Sequence, residues 1–503
     1  MNKKSLSILF FVHSIFFSQS IISSNKLAIP LNKIRYQFTA FINNDLQSSY
    51  KITPNKNIYN SNFNIEFNIQ SASNSGHPNI DNSAEFYIPG SSSNLISSRI
   101  EFSNKWLNFE IEPYVISHKG ITFNNITSGS YRYTNNQNSI QKSKFNDMGF
   151  RQSRVILHYR GLGIGYGYES HWWSPGFHSA ISLSSNAPSQ KTYSIGTFSD
   201  LRINNLSFGA KIIVMPYENN YGSKIYFSGL KAHITYNAKS SIFTFGLHRT
   251  YLSGDFNSQS LSNDKTITWS IKDAALLVVE PLFGQDKRNL KYTIPGTPGF
   301  DLWDEVLTGT VKLTFPEEEL EVYADVSSDD NRGNLTDLKA HWDHTLGYML
   351  GFKKFTNLNN ISLFIGSEFL TTRPSNTFNP IFYRGNPNST NYYSKDIYDY
   401  FTYKGRFMGA HSGSSSDDFI LMIGIGNKKS MTFVSYNKER HGIKSLPFPE
   451  IKTEFSIIYY RSISTYHSFS LSLENEKIRN FNFNNNEISK GFVLGLNYSF
   501  IIN

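Results

Sequence analysis

The stretch Gly491-Phe492-Val493-Leu494-Gly495-Leu496-Asn497-Tyr498-Ser499-Phe500 decides the fold. Successive side chains of an extended strand point to opposite faces. A period of two therefore puts Phe492, Leu494, Leu496, Tyr498 and Phe500 on one face, and Gly491, Val493, Gly495, Asn497 and Ser499 on the other. The same alternation sets Phe469, Leu471 and Leu473 against Ser468, Ser470 and Ser472, and Leu107, Phe109 and Ile111 against Asn108, Glu110 and Glu112. It returns in Leu320, Val322, Ala324 and Val326 against Glu319, Glu321, Tyr323 and Asp325. In these last two segments every carboxylate falls on the polar face.

A soluble β-sandwich or a β-helix alternates too, so recurrence and composition must separate the readings. Strands of this kind recur across almost the whole chain, divided by Asn-, Ser-, Gly- and Asp-rich stretches, some turn-sized and others long enough for surface loops. The chain carries 41 Phe, 30 Tyr and 6 Trp at a mean hydropathy of −0.37. That combination suits a barrel with an apolar exterior, aromatic girdles and a polar interior. Backbone polar groups in lipid must all be hydrogen-bonded, so a membrane protein built of strands has to close on itself. We therefore expect an all-β fold, a transmembrane antiparallel β-barrel. At about 25 to 30 residues per strand with its connections, the length allows roughly 16 to 18 strands. A terminal amphipathic strand ending on an aromatic residue also resembles the insertion signal of such barrels.

Lys3 and Lys4, the apolar run Leu6–Phe17 and the small residues Ser18 and Ser20 have the three parts of a secretory signal, expected over residues 1–20, with the barrel over 21–503. The expected location is the outer membrane. The formal charge of +9 falls to +7 once two lysines leave with the signal. This mild, scattered basic excess suits acidic glycans or lipopolysaccharide phosphates and does not point to nucleic acid. With no Cys in the chain, disulfides and thiolate chemistry are excluded.

Two inserts interrupt the strand pattern, at about 271–305 and 333–347. In the first, Asp273 reads as the N-cap of a short helix, apolar on every side, over Ala274 to Val279. In the second, Thr336 could cap a helix with Leu338, Trp342 and Leu346 on one stripe. Helical inserts between strands suggest a cap or plug over the mouth.

The densest motif runs from Arg151 to Thr197. Gly161, Gly163, Gly165 and Gly167 tempt a phosphate-loop reading, but no helix pattern follows, and Leu162, Ile164, Tyr166 and Tyr168 take the alternate face. As a strand, the glycine row leaves the inner wall bare, so another segment could approach closely. The Trp172-Trp173-Ser174-Pro175-Gly176 turn then caps or re-enters the wall, and Leu183-Ser-Ser-Asn186-Ala-Pro188 follows.

These motifs resemble the Wzi family of capsule-assembly outer-membrane proteins. Three later stretches are similar in the same order. They are Leu313-Thr-Phe-Pro316 leading to Glu321–Asp325, the insert Asp337–Gly351, and Tyr392-Tyr393 leading through Tyr403–Arg406 to Met408-Gly-Ala410 and Ser416-Asp417. Ser174 stands where that family commonly has glycine. The resemblance implies an eighteen-stranded barrel, helices occluding its outer mouth, and lectin-like binding of capsular or exopolysaccharide, with the polysaccharide export machinery as a further partner.

Aromatic rings offer flat apolar faces to sugar C–H groups, while carboxylates and Arg bind hydroxyls and acidic substituents. Trp172, Trp173, Asp325, Arg332, Tyr392, Tyr393, Arg406 and Asp417 are the glycan candidates. Each has a bland alternative, as girdle anchor or lumen brace. His341 and His344 are three apart on the second insert but lack an identifiable third ligand, so no metal is assigned. Glu169, Ser170 and His171 are adjacent on a strand and point to opposite faces, which argues against a hydrolase, and no catalytic residue or cofactor is assigned. The expected function is to anchor or organise surface polysaccharide; the rivals are a porin or transport channel, and a barrel hydrolase.

Overall fold

A computed structural model describes residues 62–502 apart from 87, 89, 120–132, 136–144, 219–221, 259–264, 280–302, 330–345, 359–360, 374–391, 394–400, 428 and 465. The expected signal segment and Arg332, His341 and His344 lie outside the described residues.

Twenty-one hydrogen-bonded segments form one sheet. Three wall strands are each interrupted once, which leaves eighteen strands among the described residues. They are β1 (Asn62–Asn74), β2 (Ser92–Ser103), β3 (Leu107–Ile111 with Pro113–His118), β4 (Phe145–Phe150 with Ser153–Tyr159), β5 (Leu162–Glu169) and β6 (Gln190–Thr197 with Leu201–Ile203). Next come β7 (Leu206–Glu218), β8 (Lys224–Asn237), β9 (Ile242–Gly254), β10 (Trp303–Phe315), β11 (Leu320–Asp329) and β12 (Leu346–Leu358). The series ends with β13 (Ile361–Thr371), β14 (Asp417–Gly426), β15 (Ser430–His441), β16 (Glu450–Ser462), β17 (His467–Arg479) and β18 (Ile488–Ile502). Each strand pairs antiparallel with its chain neighbours. β18 also pairs with β1, from Ile65 opposite Ile502 to Asn74 opposite Val493, and closes the cylinder.

Connections alternate in length. At one end they span two to four residues; at the other they span five to 48. Outer-membrane barrels place short turns in the periplasm and long loops outside, which names the second end the outer one.

Strand alternation sorts the residues as expected. Phe492, Leu494 and Leu496 of β18 are exposed while Val493 between them is buried, and Phe243, Phe245 and Leu247 of β9 are exposed while Thr244 and His248 face inward. The exposed side carries a ring of large apolar residues that a water-soluble surface would not present, since patches of that extent are unfavourable in water. None of the described helices is long and apolar enough to cross a membrane, so the strands do the spanning. The carboxylates of Glu321, Asp325 and Glu110 point into the lumen and are buried there.

The inserts differ from expectation in detail. Helix α1 (Ile271–Val279) is capped by Ser270, whose Oγ accepts from the Asp273 N–H at 3.3 Å while Asp273 Oδ2 accepts from the Ser270 N–H at 2.9 Å. Asp273 is thus the third-position partner of a capping box, not the cap. Only one side of the helix is covered: Ala274, Leu277 and Val278 pack on Val214, Tyr226 and Tyr251, while Ile271 and Leu276 are exposed. Those three wall residues have the outward parity of β7, β8 and β9, so α1 lies against the outside of the wall and not across the opening. Trp303 to Glu305 and Leu346 to Gly347, taken as ends of the two inserts, already belong to β10 and β12. The rest of the second insert lies outside the described residues.

Candidate functional site

The lumen is filled by two segments that fold inward from outer connections, residues 170–189 between β5 and β6, and residues 401–416 between β13 and β14, with Tyr392 and Tyr393 beside them. The first begins at the Trp-Trp-Ser-Pro-Gly turn. Trp172 Nε1 donates to the Gly176 carbonyl at 2.9 Å and closes the turn. Ser174 Oγ donates to Asp325 Oδ2 at 2.7 Å and accepts from the Gly176 N–H at 3.0 Å. Lys353 Nζ donates to the Pro175 carbonyl at 3.1 Å.

Glu368 of β13 is the strongest anchor. Its carboxylate accepts the backbone N–H groups of Phe177, of His178 at 3.1 Å and of Ser179 at 3.0 Å, and the Tyr323 hydroxyl at 2.6 Å. A turn taken out of water must find acceptors for its N–H groups, and one inward carboxylate supplies three. Further along, Asn186 Nδ2 donates to the Phe407 carbonyl at 2.9 Å and to Asn135 Oδ1 at 2.9 Å, and Asn186 Oδ1 accepts from the Asn82 N–H at 2.8 Å. That single amide ties both lumen segments to the β1–β2 connection.

Tyr392 and Tyr393, beside the second segment, are held the same way. The Tyr393 N–H donates to Asp329 Oδ2 at 2.6 Å, its hydroxyl donates to the Ile181 carbonyl, and Tyr392 bonds Ser327. Arg406 is fully buried with Nη1 on Ser83 Oγ at 3.0 Å. An apolar cluster joins the two segments to the wall, with Trp173, Ile181, Phe401 and Phe407 against Ile213 and Phe227. Trp173 lies flush on Gly229, where a Cβ would stand 2.9 Å from the indole ring. On β5 the glycine row likewise admits a neighbour: a Cβ at Gly163 or Gly167 would stand 2.2 or 2.1 Å from a β4 carbonyl, and one at Gly165 would crowd the Phe198 ring. Gly161 turns the corner at a φ of 86°.

Seven glycan candidates fall within the described residues. Trp172, Trp173, Asp325, Tyr392, Tyr393 and Arg406 are brought together in or against the lumen segments and are buried. Asp417 sits at the outer rim, paired with Arg440 and 3.6 Å from Arg373, whose side chains are 42% and 37% exposed. At the same end Tyr217 and Tyr403 meet edge to face with centroids 5.3 Å apart, and Lys404 Nζ lies 5.6 Å from the Tyr403 centroid.

Sequence reasoning missed Glu368, Arg373 and Arg440, and also a buried cluster of His178, His411, Asp418 and Glu439. The period-two pattern of β13 does place Glu368 on the polar face, which is the signal that could have found it. Beside the plug the wall is braced by buried ion pairs, among them Arg154 with Glu110 at 3.2 Å and Arg151 with Glu112 at 2.7 Å. His171, beside the plug turn, is pushed down to about 4 by burial and is neutral at physiological pH.

No protein family and no curated protein matches the chain. Among solved structures it is similar to Wzi of Escherichia coli, an outer-membrane protein involved in group 1 capsule assembly and described as a carbohydrate-binding β-barrel, at a TM-score of 0.54 and 11% identity, over 99% of this chain and 98% of that one. The chain has the closed eighteen-stranded fold of outer-membrane β-barrels. OccAB2 of Acinetobacter baumannii aligns at a TM-score of 0.41 and 8% identity, over 88% of this chain and 98% of its own. OccK7 of Pseudomonas aeruginosa aligns at 0.41 and 8%, over 88% and 99%. At such identities the likeness concerns the fold alone.

Proposed function

We propose that this barrel binds a surface polysaccharide at its outer rim, without turning it over, and thereby anchors or organises capsule or exopolysaccharide. The observation that carries the reading is the filled lumen. Segment 170–189 is hydrogen-bonded to inward side chains of β10, β11 and β13, and Tyr393, beside segment 401–416, to Asp329 of β11, an arrangement suited to holding an outer surface in shape and poorly suited to diffusion. Structural similarity to a barrel described as carbohydrate-binding points the same way.

In this reading Arg373 and Arg440, held by the buried Asp417, contact the glycan together with Tyr217, Tyr403 and Lys404. Guanidinium groups bind carboxylate or hydroxyl substituents and the rings stack on sugar C–H faces. Trp172, Trp173, Asp325, Tyr392, Tyr393 and Arg406 hold the segments that shape this face, and Arg332 is a further candidate on the adjoining connection. The test is a glycan array probed with the detergent-solubilised barrel. Binding of acidic polysaccharide should fall about tenfold in an Arg373→Ala/Arg440→Ala variant, a loss of ~1.4 kcal/mol. A wild-type barrel that binds no polysaccharide and conducts ions freely in bilayers would replace this reading with that of a channel.

A further inference from the structure

We propose that His178, His411 and Asp418, with Glu439 completing the set, form a site for one divalent transition cation of the Zn2+ class that fastens the lumen segments to the barrel wall. The two histidines come from the two lumen segments. The two carboxylates come from the inner faces of β14 and β15. All four side chains are buried, and one potential ligand atom from each lies within 4.8 Å of the others.

The distances fit coordination. With metal–ligand bonds of about 2.0–2.2 Å in a tetrahedron, neighbouring donor atoms stand roughly 3.3–3.5 Å apart. Here His178 Nε2 to Asp418 Oδ2 is 3.2 Å, His411 Nε2 to Asp418 Oδ2 is 3.3 Å, and His411 Nε2 to Glu439 Oε1 is 3.6 Å. A charge-assisted hydrogen bond would be shorter, at about 2.7–2.9 Å. Two of the converging atoms, His411 Nε2 and Asp418 Oδ2, are fully buried and make no hydrogen bond. An unsatisfied buried carboxylate oxygen facing an unsatisfied imidazole nitrogen is costly unless something sits between them.

Charge balance points the same way. Lys452 contacts Asp81, Glu439, Glu454 and Glu476, so one ammonium serves four carboxylates, and Asp418 is not among them. His441 engages the other oxygen of Glu439 at 3.0 Å. The surroundings are ready to support a metal. Asn437 Nδ2 donates to Asp418 Oδ1 at 2.7 Å and fixes the carboxylate, and the Asn82 amide lies 3.1 Å from His411 Nδ1. Asn82 Oδ1 is itself buried without a partner. Turning that amide lets Oδ1 accept the Nδ1 proton of a metal-bound imidazole, in exchange for its bond to the His178 carbonyl. A cavity of ≈ 30 Å³ bordered by His178, Asn437 and Glu454 has room for a water beside the site. Two imidazoles with carboxylates favour Zn2+, Co2+, Ni2+ or Cu2+ over Mg2+ or Ca2+, which take oxygen-only shells.

The test uses the tag-free barrel in detergent, stripped with EDTA and titrated with Zn2+ and with Co2+. One equivalent of Zn2+ should bind, and Co2+ should give visible ligand-field bands of a four-coordinate site that Zn2+ then displaces. His411→Ala and Asp418→Asn should weaken binding at least tenfold, while Glu454→Gln, next to the site but outside the set, should not. Folding of each variant is checked by its heat-modifiable migration, and His411→Gln serves if the alanine variant fails. Absence of stoichiometric Zn2+ and Co2+ binding to the wild-type barrel overturns the proposal. So does unchanged affinity in a His178→Ala/His411→Ala variant, or a preference for Ca2+.

Discussion

Replacing Glu368 by alanine removes the acceptor of three backbone N–H groups and of the Tyr323 hydroxyl. Hydrogen bonds to a charged group contribute about 1.5–3 kcal/mol each. Four of them at the low end give about 6 kcal/mol, part of which water recovers by entering the vacated space, leaving about 3–5 kcal/mol. At ~1.4 kcal/mol per decade, that shifts the equilibrium between docked and undocked plug by two to nearly four orders of magnitude, roughly 10² to 10⁴. The wall should survive, because its inter-strand ladder does not pass through this side chain. Glu368→Gln keeps the volume but offers one acceptor oxygen and turns an amide N–H₂ toward donors, so its loss should be intermediate. Single-channel recording in planar bilayers, with hydrogen exchange over residues 170–189, reads the effect. The native barrel should conduct little, and Glu368→Ala should show frequent openings and lost protection at 177–179. An alanine variant as silent and as protected as the native protein refutes the claim that this carboxylate holds the plug.

Gly409→Ala would bring a Cβ within 2.2 Å of the Tyr393 hydroxyl and 2.3 Å of the Ile181 carbonyl, and should destabilise the same docked state by ~1–3 kcal/mol, read by the same exchange experiment. Leu494→Arg, on the exposed face of β18, should cost about 2–4 kcal/mol in reversible folding into liposomes, because a charge replaces an apolar contact with lipid. His77, in the β1–β2 connection, is opposed by burial but held by Glu476 at 3.0 Å, and its pKa is raised above the ordinary 6.5. A raised folded value means that this contact stabilises fully below pH 6.5 and is lost as the pH climbs through the raised value. Exchange protection of residues 75–86 should therefore weaken as the pH is raised above 6.5, and His77→Asn should flatten that dependence; a pH-independent wild type would contradict the assignment.

The wall was legible in the sequence because period two leaves no choice of face. Once Phe492, Leu494 and Leu496 are read as one surface, Glu321 and Asp325 must lie on the other, and both are in the lumen. Closure followed from the same physics, since an open edge cannot sit in lipid. The direction taken by a loop has no such code. The Trp172-Trp173 pair marked a dense motif, but only the chain's inward turn shows that both rings are buried, and Glu368 looks in sequence like any other inward carboxylate. Helix α1 was recognisable from its apolar run. Its N-cap went to Ser270 because an aspartate three residues on can return the hydrogen bond, and its seat outside the wall depends on the parity of Val214, Tyr226 and Tyr251. His178 and His411 lie in separate connections, and nothing local to either announces the other.

The seam between β1 and β18 is the pairing of greatest sequence separation among the described strands. Its partners, Ile65 with Ile502, stand at nearly opposite ends of the described chain, so closing the cylinder brings together the two described strands most distant in sequence. Until they meet, the sheet is an open ribbon with two unpaired margins, and sealing it carries the largest loop-closure entropy of any strand pairing among the described residues.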